Sequence, residues 1–323
     1  MNFLFIGPYR QSNIQGCSSA AILDHLINQN KNITARPIYI DECQNINKVY
    51  KSELNLYKKY DGIIQNVPLE AAIHIPNIKN YIVPIGDNKN IDKKYLNVLD
   101  KAEKILVDNV FDYRQFAEYF PDKTFYFDYS VPDPKIEISR LDTGIYNHMQ
   151  KMYFIGSYKK NSDLIKTLIM CFVAISRYRE NLCFIGFLTD RDNFTIETLK
   201  EFSDSVYNSF RMGSIINKTV FLNTDYDINN LNICHKTCDV FIDLNEDCKS
   251  SFNRKCAEKF DNEIVNSSNI NFYADISRNG EINENQFMVP IQMSMIKEIE
   301  RALNREPIDQ TIEKTPIEKL ICN

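Results

Sequence analysis

The chain contains no tryptophan, only 9 glycines among 323 residues, and no Cys-x-x-Cys pair. Its longest unbroken apolar run, Leu168 to Ile175, falls far short of the roughly 20 residues that span a bilayer. The opening Met-Asn-Phe-Leu-Phe-Ile-Gly has neither the basic flank nor the longer apolar core of a secretory leader. These gaps point to a soluble, cytoplasmic protein, with peripheral membrane contact left open. The 9 cysteines, at 17, 43, 171, 183, 234, 238, 248, 256 and 322, are odd in number and sit in apolar settings. They read as reduced core thiols rather than a disulfide framework. Cys234-His235 with Cys238 comes nearest to a metal cluster but lacks a complementary ligand pair, so no metal is expected. A basic excess is also missing. The formal charge of -5 argues against a surface devoted to nucleic acid.

What is present is a chain with 44% hydrophobic and 25% charged residues, long for one core and comfortable for two. Short apolar runs at 3–6, 37–40, 61–64, 80–83, 104–107 and 124–127 alternate with helical or loop segments. That alternation predicts a parallel, doubly wound sheet. Gly7 to Cys17 reads as a loop, with a helix over 18–28 capped by Ser18 or Ser19. The pattern breaks after Val131-Pro132-Asp133-Pro134, and a second series begins with strands at 153–156, 182–186, 219–222 and 239–243 and helices at 162–178 and 195–209. We therefore expect two Rossmann-like domains, 1–140 and 150–290, facing a central cleft. An amphipathic helix and polar tail over 291–323 could pack back on the first domain.

The second series opens with Phe154-Ile155-Gly156-Ser157-Tyr158-Lys159-Lys160. A strand, a glycine turn and a helix start place backbone N–H groups where an anion can sit. The order of segments resembles the GT-B glycosyltransferases with two Rossmann-type domains, within them the group 1 or family 4-like class. Tyr60-Asp61-Gly62-Ile63-Ile64, Ala102 to Phe111, Phe127 to Asp133 and Cys238 to Asp243 are similar to strands of that family. The resemblance covers nearly the whole chain through order and spacing rather than identity. It implies transfer of a sugar from a nucleotide-sugar donor, bound as substrate with no cofactor, to a glycan, lipid, protein or nucleic-acid acceptor.

On the donor side, the resemblance implies that Gly156, Lys159 and Lys160 face the diphosphate and that Glu258 holds the ribose, with Arg254 a phosphate ligand or an i,i+4 partner of Glu258. The chain departs from the family at three places. Ser157 stands where an arginine is usual, Ser250 where the first of two glutamates is usual, and Asp261-Asn262-Glu263 where a glycine follows the second. The resemblance likewise implies that Gly7 and Gly16 border the acceptor side. His74, after the strand at 61–64, is the candidate catalytic base, set against an ordinary surface histidine. His25 reads as structural. Asp190-Arg191-Asp192 has metal-motif spacing but reads as a solvated loop, so metal-independent transfer is expected, with cationic side chains and helix N-termini stabilising the leaving group. The missing glutamate keeps a second reading open, a catalytically inactive relative that binds or scaffolds.

Overall fold

The computed structural model describes residues 1–29, 32–40, 50–55, 57, 59–86, 91–133, 137–190, 193–210, 217–243, 251–266, 284–306 and 314–322. In chain order the elements begin β1 (Phe3–Gly7), α1 (Ile14–Gln29), β2 (Ile33–Pro37), β3 (Gly62–Pro68), β4 (Lys79–Ile85), α2 (Lys93–Asp100), β5 (Lys104–Val107), α3 (Val110–Tyr119) and β6 (Thr124–Asp128). They continue with β7 (Gln150–Gly156), α4 (Tyr158–Ser176), β8 (Leu182–Leu188), α5 (Asn193–Ser209), β9 (Thr219–Asn223), α6 (Ile228–Thr237) and β10 (Val240–Asp243). The last are α7 (Phe252–Glu258), β11 (Glu263–Asn266), α8 (Glu284–Leu303), β12 (Thr315–Pro316) and α9 (Ile317–Cys322).

Two compact units result. The first comprises Met1–Asp133, Glu246–Lys255 and Gln310–Asn323, the second Pro134–Asn245 and Cys256–Asp309. Unit one carries a seven-stranded sheet in the order β12-β6-β5-β4-β3-β1-β2, and unit two a five-stranded sheet in the order β11-β10-β7-β8-β9. Their strand pairs run parallel. Parallel sheets are covered on both faces, which is why their strands read as continuous apolar runs. β8, Leu-Cys-Phe-Ile-Gly-Phe-Leu, is buried at every position. On one face of the second sheet Met152, Phe154, Phe184 and Ile242 pack with Ile165, Leu168 and Phe172 of α4. Each such side chain contributes about 1.5–3 kcal/mol on leaving water.

Two boundaries differ from the sequence pattern. The first helix starts at Ile14, ahead of both serines, because the Asn13 side chain accepts the Gly16 N–H at 2.7 Å and caps it. Ser18 and Ser19 are buried inside that helix. The second strand ends at Pro37 rather than starting there, pairing Ile33 to Pro37 with Phe3 to Gly7. A proline at a strand end gives up little of the ladder.

The amphipathic helix is satisfied within the second unit. Met295, Ile299, Ala302 and Leu303 of α8 join the core formed by α4 and its sheet. What returns to the first unit is the tail: β12 pairs with β6. Tyr81 Oη and Lys104 Nζ donate to the carbonyls of Ile321 and Leu320 at 3.2 and 2.5 Å. His25 joins the tail to the exit of β6, with Nε2 at 2.8 Å from Glu318 Oε2 and Nδ1 at 2.8 Å from Ser130 Oγ.

Candidate functional site

In an open α/β sheet, ligands gather at the carboxyl ends of the strands, near the point where strand order reverses. In the second unit that point lies between β7 and β10, since β8 and β9 extend to one side of β7 and β10 and β11 to the other. The turn after β7 carries Gly156 and Ser157. Its donors are already engaged: Ser157 Oγ donates to Asp190 Oδ1 at 2.6 Å and the Tyr158 N–H to Asp190 Oδ2 at 2.5 Å. Asp190 comes from the loop after β8, so a carboxylate takes the anion position at the start of α4. Of the Asp190-Arg191-Asp192 triplet only Asp190 lies within the described residues, and it is a positioned hydrogen-bond acceptor.

The first turn of α4 is separate from the rest. Asn161 has φ -127° and ψ 29°, which breaks the helix, and its Nδ2 donates to the Ser157 carbonyl at 3.1 Å. Lys159 is exposed on this turn. Lys160 is helical in its backbone, and its side chain lies outside the described residues. A Cβ added to Gly156 would meet nothing nearer than Asn161 Nδ2 at 3.9 Å, so packing does not demand a glycine there. Gly7 and Gly16 differ: the same atom would fall 2.5 Å from Ser19 Oγ at Gly7 and 2.0 Å from the Gln11 carbonyl oxygen at Gly16. Both let helix α1 seat tightly against the loop after β1.

Beside the turn, a groove of about 450 Å³ runs along the carboxyl ends of β8 and β9 and the middle of α6. Phe187, Leu222 and Ile233 form its apolar part, and Asn223, Thr224, Asp225 and Asn230 its polar part. The volume falls in the range of small-molecule sites. No sequence motif singled this groove out. The signal available was the polar Asn223-Thr224-Asp225 directly after a strand.

Glu258 is exposed at the end of α7, and Arg254 is half-buried in the same helix. Arg254 belongs to the first unit and Glu258 to the second. Ser250 lies outside the described residues. Within Asp261-Asn262-Glu263, the stretch where the resemblance implies a glycine, Asp261 has φ +56°. There the Asn262 N–H reaches the Ala257 carbonyl at 3.2 Å and the Asp261 N–H the Glu258 carbonyl at 3.1 Å, a Schellman end to α7.

Behind the groove, on the face of the sheet covered by α6, lies a buried polar group. Tyr153 Oη is 2.5 Å from His235 Nδ1, and Asn262 Nδ2 donates to both Tyr153 Oη (2.7 Å) and the His235 carbonyl (2.8 Å). Complete burial pushes the imidazole pKa down to about 3, so the ring is neutral. Burial likewise raises the thiols of Cys234 and Cys171 to about 12. Among the described residues no three His, Cys, Asp or Glu side chains converge to hold a metal ion, Cys234, His235 and Cys238 included. Nor is any described helix long and apolar enough to cross a membrane.

In the first unit, His74 is exposed in the β3–β4 connection. Gln65 pins Ile73 by a pair of bonds of 2.7 and 3.0 Å, and Asn80 pins Ile75 by bonds of 3.0 and 2.8 Å. Gln65 sits mid-strand and Asn80 near the start of β4. His74 is thereby held level with the middle and amino half of the sheet rather than at its carboxyl edge. That edge instead carries a cavity lined by Gln15, Ser18, Asn66, Gly86, Asp108 and Asp112, among others.

No family model matches the chain, and no curated protein does. Among solved structures it is similar to the pneumococcal O-GlcNAc transferase GtfA in complex with UDP and GlcNAc, at 10% identity over 77% of this chain and 51% of that one, with a TM-score of 0.44. It is similar to an α,α-trehalose 6-phosphate synthase from Burkholderia multivorans, at 10% identity, 76% and 63% coverage and a TM-score of 0.49. It is also similar to S. aureus MnaA with UDP, at 10% identity, 81% and 77% coverage and a TM-score of 0.44. The chain spans between half and two thirds of the first structures it matches, covering 51%, 66% and 54% of them. No residue role follows from likeness at this level.

Proposed function

We propose that the chain is a GT-B-type glycosyltransferase that draws a sugar from a nucleotide-sugar donor, the nucleoside lying in the groove at the carboxyl ends of β8 and β9. The groove carries this reading: an apolar wall suits the face of a base, and Asn223, Thr224, Asp225 and Asn230 suit base edges and ribose hydroxyls. The turn at Gly156 takes the diphosphate, with Lys159 and Lys160 as its cationic ligands. Gly156, free of any packing requirement, supports close approach of a ligand to the backbone. Glu258 is assigned the ribose, as the resemblance implies, and Asp225 is the competing candidate. Gly7 and Gly16 shape the acceptor side. His74 is carried as the candidate base, and unchanged transfer by His74→Ala would remove it from that role.

A second reading is favoured by one observation. Asp190 already occupies the donors at the start of α4, as it would in a binding or scaffolding relative that no longer takes a phosphorylated ligand. Calorimetry with UDP-, GDP- and ADP-sugars separates the two. On the transferase reading at least one donor binds, Asn230→Ala and Asp225→Ala weaken it about tenfold, in line with one lost hydrogen bond to a ligand, and Asp190→Ala strengthens it by removing an internal competitor. Absence of heat from any donor with both the parent chain and Asp190→Ala supports the scaffold.

A further inference from the structure

Resting on the donor-groove reading, we infer that Tyr153, His235 and Asn262 are positioning residues: they brace two walls of the groove from behind and set how tightly it holds a nucleotide-bearing ligand. None of the three lines the groove, but two adjoin residues that do. The Tyr153 ring meets Phe187 of the apolar wall edge-on, with centroids 6.0 Å apart. His235 follows Cys234 in α6, whose Asn230, Ile233 and Cys234 form the helical wall. Thr237 of the same helix accepts the Leu141 N–H at 2.9 Å and so ties a further lining residue to α6.

The brace has a defined direction. Asn262 Nδ2 donates to Tyr153 Oη at 2.7 Å, so the phenol gives its own proton to His235 Nδ1, 2.5 Å away. With the imidazole neutral, that tautomer leaves one group unsatisfied, the buried Nε2–H. The opposite tautomer strands two, the Tyr153 proton and the Nε2 lone pair, and is the costlier. Asn262 also donates to the His235 carbonyl at 2.8 Å. The three side chains thereby tie α6 to β7 and to the turn ahead of β11, while the His235 ring meets Phe241 of β10 at 5.2 Å. In a buried polar set of this kind, loss of one member leaves the others unpaired. A helix released from it keeps its apolar burial, but that attraction is non-directional and fixes no register along the sheet. A wall displaced by about 1 Å is enough to spoil the fit of a bound ligand.

Calorimetry of the full chain with UDP-, GDP- and ADP-sugars, read beside alkylation of Cys234, tests this. Cys234 lines the groove yet is only 3% exposed, so its rate of modification by iodoacetamide, located by peptide mass, reports movement of the α6 wall without any donor. Tyr153→Phe keeps the ring and removes the bonded oxygen; it should speed alkylation and weaken the best donor, each about tenfold. His235→Asn, which presents an acceptor near the place of Nδ1, should return both readouts toward the parent values, whereas His235→Leu should not. Val173→Ala, a truncation in the core on the α4 side of the sheet, should lower the melting temperature and leave both readouts alone. If Tyr153→Phe does not fold, Asn262→Ala takes its place with the same expected directions. Either readout unchanged while a donor binds, equal effects of His235→Asn and His235→Leu, or equal acceleration in Val173→Ala overturns the brace. The two readings fail separately: a donor held equally by the parent and Tyr153→Phe removes the brace alone, whereas faster alkylation with silence from every donor, in the parent and in Asp190→Ala, upholds the brace and removes the donor from the groove.

Discussion

Single residues set the acid response of this fold. His235 is neutral in the folded chain, with its pKa near 3, and titrates near 6.5 when unfolded. Between those values the unfolded state binds more protons, so stability is full above about pH 6.5 and falls as pH drops toward 3, by a few kcal/mol in all. Urea denaturation followed across that range should flatten in His235→Phe, and an unchanged slope would contradict the burial account. Glu318 works in the same direction: bonding to His25 helps hold its carboxyl below the usual value, so its contribution is present at neutral pH and lost on acidification. The two glycine classes should also separate. Gly16→Ala drives a methyl into the Gln11 carbonyl and should cost about 2 kcal/mol or more. Gly156→Ala should leave stability within about 0.5 kcal/mol yet weaken donor binding. Equal melting losses for both would contradict the distinction.

At the scale of elements, caps and ends decide what the pattern alone did not. Asp261 holds a left-handed position that glycine adopts without strain, so Asp261→Gly should stabilise the chain by up to about 1 kcal/mol, read as a shift in denaturation midpoint with unchanged slope. Strands were legible from the sequence because apolar runs such as Lys104 to Val107 are bounded by polar residues, and the strand there matches the run. The start of α1 was not, because Asn13 and Ser18 are both good caps and the choice depends on Gly16 closing against Gln11, a tertiary contact. In α4, the helical stretch expected from 162 follows the break at Asn161, while the turn before it is bonded to Asp190 through Ser157 Oγ and the Tyr158 N–H. The groove escaped notice because its residues come from β8, β9 and α6 and share no local motif.

The molecule as a whole is two parallel α/β units, each with its own core and its own carboxyl-edge cavity. The turn at Gly156 was readable as an anion site, and its lysines as cations, but its occupant was not: Asp190 lies 33 residues from Ser157, and only the fold brings them together. Whether that carboxylate yields to a diphosphate decides between enzyme and binder. The most direct measurement is titration calorimetry of the parent chain and Asp190→Ala with UDP-, GDP- and ADP-sugars. Saturable binding of at least one donor, tighter in Asp190→Ala and about tenfold weaker in Asn230→Ala, is the predicted result. Silence from every donor in the parent and in Asp190→Ala would contradict it.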